Sequence, residues 1–135
     1  ALSEFDRKTR DVAETLLSRR RLFHQARRVL KDHQQSGFLF VLTPERLPIL
    51  ETARAISTLQ SVDIPVVVAL VKRVIPDTAD GHFLQRRREQ EATYLQRIDQ
   101  ELGHLPRPQL PWLETDVQGI EILQQIAEQL AAQGF

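Results

Sequence analysis

The residue types that could carry chemistry in this chain are notable for how they are spaced. Its five glycines, Gly37, Gly81, Gly103, Gly119 and Gly134, never fall together in one loop. A loop that cradles phosphate needs clustered glycines, so that successive backbone N–H groups can turn inward at a helix N-terminus. No such cluster exists here, and the chain is expected to hydrolyse no nucleotide by itself. The four histidines, His24, His33, His82 and His104, stand apart from one another and from metal-ligand spacings, and read as surface or loop residues. None of the serines lies in a nucleophile elbow. There are no cysteines, which excludes disulfides, thiolate metal sites and cysteine nucleophiles and makes a reducing cytoplasm the expected compartment. No catalytic residue and no metal ligand is therefore assigned.

Charge adds further exclusions. Eighteen basic and eighteen acidic residues cancel, so no global field draws nucleic acid or an acidic membrane. The cluster Arg19-Arg20-Arg21 with Arg27, Arg28 and Lys31 reads as a solvated helix face, flanked by Glu14 and Asp32. No aromatic residues interleave with it for base stacking, and no nucleic-acid partner is expected. Arg86-Arg87-Arg88 reads as a helix surface that salt-bridges Glu89 and Glu91. No apolar run approaches the roughly 20 residues of a membrane span.

The elements that must position any site follow from the hydrophobic period. Phe5, Val12, Leu16, Phe23, Ala26 and Leu30 keep to one face of a long helix over 3–35, with Ser3 as its N-cap and Ser36-Gly37 as its stop. Phe38 to Leu42 is an unbroken apolar run, the pattern of a parallel strand covered on both faces. A helix over 46–61, with Pro48 in its first turn, leads to a second such strand at 66–71. Strand, helix and strand make a βαβ crossover, expected to be right-handed. A loop from Arg73 to Gly81 precedes a helix at 82–102. Pro106, Pro108 and Pro111 confine the next extended piece, 105–110, to a sheet edge. Asp116 caps a last helix at 116–132. The expected fold class is α/β: a partial doubly wound parallel sheet with flanking helices, preceded by a long N-terminal helix. Missing strands are expected upstream.

In open α/β sheets ligands bind beyond the carboxyl ends of the strands. The candidate loops are therefore Thr43-Pro44-Glu45-Arg46-Leu47-Pro48 and Lys72-Arg73-Val74-Ile75-Pro76.

At this point the string Phe40 to Thr52 resembles a strand and helix start found late in the arsenical pump-driving ATPases and their relatives that target tail-anchored proteins. The likeness runs on collinearly through Val71-Lys72-Arg73-Val74-Ile75-Pro76, through Phe83 with Arg86-Arg87-Arg88, and through Leu110-Pro111-Trp112-Leu113 to Gly119. It covers about residues 22–130. The resemblance implies the C-terminal part of a deviant P-loop ATPase that works as a dimer. Residues 1–36 would be the end of a helical subdomain, and residues 37–135 the C-terminal α/β part of the P-loop NTPase-like domain. It further implies ATP with magnesium in the parent protein, neither held strongly by this chain alone, and an upstream P-loop portion as partner. The implied adenine contacts are Lys72, Arg73, Pro111, Trp112 and Leu113.

Three features depart from the family pattern. Lys72 stands where an asparagine usually reads the adenine edge, and lysine donates but does not accept. Trp112 stands where leucine is usual, and is read as capping the core, with stacking on a base as the alternative. Arsenite binding needs thiols and zinc-bridged dimers need cysteine pairs, and this chain has neither; the methionine-rich client groove of the targeting branch has no methionine here either. Two functions are carried forward: the C-terminal segment of such an ATPase, contributing adenine contacts and dimer surface, or a stand-alone, non-catalytic protein-interaction module derived from one.

Overall fold

The computed structural model describes residues 2–135, apart from the side chains of Leu2 and Phe5. The element order is α1 (Leu2–Lys31), β1 (Phe38–Leu42), α2 (Arg46–Ser61), β2 (Val66–Val74), α3 (His82–Leu102), β3 (Gln109–Pro111) and α4 (Gly119–Ala132). The strands form an open sheet in the order β1-β2-β3, both pairings parallel, which is the expected α/β class. β1, α2 and α3 have the bounds that the hydrophobic period predicts.

The core lies on one face of the sheet. Leu42, Ala69 and Val71 point to it, and Ile49 and Ile56 of α2 with Ile98 and Leu102 of α3 close over them. The opposite face is open, against the expectation of two-sided cover: Leu39 is 53% and Val41 48% exposed. Gly37 enters β1 without a side chain because Val67 Cγ1 lies 2.9 Å from where its Cβ would stand.

Four boundaries differ from the sequence reading, each for a local reason. Helix α1 ends at Lys31, because the Asp32 carboxylate accepts the Gln34 N–H at 2.9 Å and the Gln35 side-chain amide at 2.8 Å. Such local bonds compete with helix propagation. Ser3 lies inside the first turn, where an N-cap does not sit. β3 is confined to Gln109–Pro111: Ala69 and Val71 donate to the carbonyls of Pro106 and Pro108, which have no N–H to return. Helix α4 starts at Gly119 instead of behind an Asp116 cap, since Gly119 has φ +82°, outside the right-handed region a continuous helix needs.

From Ser3 to Leu30 every described side chain of α1 is exposed, including Val12, Leu16 and Phe23 of the predicted apolar stripe; Phe5 lies outside the described side chains. The helix is tied to the body by Lys31 Nζ, 2.9 Å from Asp63 Oδ2, and that bond holds the Asp63 carboxyl below its usual range. At the far edge the Gln133 side chain mimics a strand. Its Oε1 accepts the Gln109 N–H at 2.8 Å and its Nε2 donates to the Gln109 carbonyl at 2.8 Å.

Candidate functional site

The carboxyl end of β2 is irregular in a way that aims side chains. The strand runs to Val74, beyond the predicted end at Val71, because Trp112 N–H donates to the Val74 carbonyl at 2.8 Å. Between Val71 and Val74 the register shifts, and Arg73 takes φ +60°. Bulges of this kind re-aim side chains near functional sites. A left-handed non-glycine residue costs about 1–3 kcal/mol and persists only when its surroundings hold it.

Those surroundings are visible. Ile75 N–H, two residues on, donates to Glu91 Oε2 at 3.0 Å. Arg88 reaches the carbonyls of Asp77, at 3.1 Å, and Ala79, which pins the following loop to α3. The predicted pairing of Arg86-Arg87-Arg88 with Glu89 and Glu91 is thus replaced: Arg88 serves backbone carbonyls, and Glu91 serves a backbone N–H. Glu91 is 8% exposed, and burial raises its carboxyl above the ordinary range, offset in part by the Ile75 bond and the fields of Arg87 and Arg88.

The Arg73 guanidinium carbon sits 5.8 Å from the centroid of the Trp112 ring, a cation–π pair worth about 0.5–1 kcal/mol at an exposed site. Trp112 is 54% exposed, so it does not cap the core as the sequence reading preferred. Its backbone bond to Val74 holds it on the sheet edge, with its ring under Arg73.

This stacked pair is a common wall between two cavities. One, of about 410 Å³, brings together all five predicted residues, Lys72, Arg73, Pro111, Trp112 and Leu113, and adds Asp116 and Gln129. The other, of about 560 Å³, lies between the starts of α2 and α3 and joins both candidate strand-end loops: Thr43 and Arg46 from one, Arg73 and Ile75 from the other. From α3 it takes Arg87, Glu91 and Tyr94, none of which the sequence reading assigns to a site. A signal for them existed. Leu84, Arg87, Glu91, Tyr94 and Ile98 recur at alternating steps of three and four, so two charged residues occupy an otherwise inward stripe.

The three strands form an open parallel α/β sheet with cavities at its carboxyl end, the place where ligands bind in open α/β sheets. The sequence profile of the anion-transporting ATPases matches residues 2–132, and the chain belongs to that family. It is 29% identical over 118 residues to a protein of Aquifex aeolicus named arsenical pump-driving ATPase 2, covering 87% of this chain and 39% of that one. Against an arsenical pump-driving ATPase of Halobacterium salinarum it is 32% identical over 98 residues, covering 71% and 15%. Against ATPase GET3B of Arabidopsis thaliana it is 24% identical over 116 residues, covering 84% and 28%. The chain thus spans well under half the length of these relatives. Among the described residues no helix is long and apolar enough to cross a membrane.

Proposed function

We propose that this chain is the C-terminal segment of an arsenical-pump-like ATPase and holds the adenine end of the nucleotide in the 410 Å³ cavity. The observation that carries this reading is the convergence of Lys72, Arg73, Pro111, Trp112 and Leu113, distant in sequence, on that one cavity. The half-exposed Trp112 ring offers a flat face for a base. Lys72 can donate to a ring nitrogen, and Asp116 in the same wall supplies the acceptor for an exocyclic amine that lysine lacks.

In this reading the phosphate loop and the magnesium ligands come from an upstream P-loop portion of the same or a partner chain. Among the described residues no group of three metal-ligating side chains exists. The whole protein would work in the cytoplasm as a homodimer, to which this segment adds surface. A second reading, a non-catalytic interaction module, draws on the exposed apolar stripe of α1 and the open sheet face.

The deciding experiment is a titration of ATP into the longest natural form of the protein, followed by backbone NMR. Shifts at Lys72, Trp112 and Asp116 are expected, weaker in the 135-residue chain than in the longer form. Unmoved signals at millimolar ATP in the longer form would overturn the adenine assignment and favour the interaction module.

A further inference from the structure

The 560 Å³ cavity on the other side of the Arg73–Trp112 wall shares only those two residues with the proposed adenine contacts, and its lining has a chemistry of its own. Three guanidinium groups border it from three separate elements: Arg46 from the first turn of α2, Arg73 from the bulge of β2, and Arg87 from α3. Neither Arg46 nor Arg87 is within hydrogen-bonding or ion-pairing distance of a partner among the described residues. Two acids share the lining. Glu91 has its carboxylate committed to the Ile75 N–H, and Glu45 is the second. Three guanidinium groups against two carboxylates leave the lining with a net positive charge, carried by Arg46 and Arg87, which have no ion-pair partner among the described residues.

Three aromatic rings also line it. Phe83, 74% exposed, faces the same space as Tyr94 and Trp112. The volume falls within the range of about 300–1,000 Å³ typical of small-molecule sites. Arginine forks match carboxylate and phosphate oxygens in bidentate fashion, and aromatic rings receive a flat apolar body.

We infer that this cavity binds a small ligand with an oxyanion head, a carboxylate or a phosphate monoester, carried on an aromatic or apolar body. The head lies between Arg46 and Arg87, and the body against Phe83 and Tyr94. Arg73 and Trp112 stand at the border with the neighbouring cavity, so the two sites share a wall and have separate floors.

The test uses the 135-residue chain and three probes: phenyl phosphate, benzoate and inorganic phosphate. Backbone NMR locates each one. The expected result is saturable shifts at Arg46, Leu47, Arg87 and Gln90 with phenyl phosphate or benzoate, the stronger of the two identifying the head. Inorganic phosphate should bind more weakly than phenyl phosphate, because it lacks the body. Arg46→Ala and Arg87→Ala should each weaken binding about tenfold, the size of one charge-assisted hydrogen bond. Lys72→Ala, which alters only the adenine-side cavity, should leave it within about twofold. Shifts confined to Glu114, Asp116 and Gln129, or binding indifferent to both arginine substitutions, would overturn the inference. Equal affinity for phosphate and phenyl phosphate would overturn the aromatic half of it. Because ATP binding is read at Lys72 and Asp116, either assignment can fail without the other.

Discussion

On one face of the sheet Leu42, Ala69 and Val71 lie beneath two isoleucines of α2 and an isoleucine and a leucine of α3; on the other, Leu39 and Val41 of the same strand stand half in water. The residue types are the same on both sides. A strand that is apolar at every position is suited to cover on both faces, whereas a strand with one wet face alternates. β1 therefore has the composition of a two-sided strand while this chain supplies one side. That is the arrangement expected if the chain is one part of a larger ATPase, as proposed above.

The largest effect expected from breaking this asymmetry is on the covered face. Ile49→Ala should cost about 2–5 kcal/mol of stability, read as a fall in the urea midpoint. A loss below about 1 kcal/mol would mean that α2 is not held on the sheet by this contact.

A middle-sized effect belongs to the site end of the same face. Glu91→Ala leaves the Ile75 N–H buried without a partner and should cost about 1–3 kcal/mol. Glu91→Gln keeps an acceptor and removes the ionisation. Because burial raises the Glu91 carboxyl above its ordinary value of 4.5, the folded chain holds this proton more tightly than the unfolded one. Stability from that source is complete below the ordinary value and is lost as pH rises through the raised one. Glu91→Gln should therefore be more stable than the parent at neutral pH, with the gap closing in acid; denaturation at several pH values reads it. An unchanging gap would mean that the carboxyl is not desolvated in solution.

The smallest effect is expected on the open face. Leu39→Thr and Val41→Thr should change stability by no more than about 0.5 kcal/mol in the 135-residue chain. In the longest natural form the same changes should cost about 1–2 kcal/mol each, if its additional residues bury that face. A large cost already in the short chain would show that the face is covered there by self-association.

Much of this was legible from spacing alone. Continuous apolar runs and a clear 3.6-residue period located β1, α2 and α3 to the residue. What failed was decided by single polar side chains and by backbone angles that no period records: Asp32 bonding its own neighbours, Gly119 at φ +82°, and Arg73 at φ +60°. The five resemblance-based site residues share a cavity, but Trp112 reads as a core cap because nothing in the sequence shows Arg73 lying over it. Glu91 reads as half of a surface ion pair because charge neighbours are visible in sequence, whereas a backbone N–H sixteen residues away is not.

The Gln133 amide on the outer edge of β3 has a consequence best put in the language of polymer growth. A sheet with two bare edges is a bifunctional monomer, and copies of it can add end to end without limit. Gln133 acts as a chain stopper on one end. Among the described residues no side chain caps β1 in this way, which leaves that edge open to a further strand. Loss of the Gln133 side chain would shorten no strand, yet it would reopen the end that is stopped.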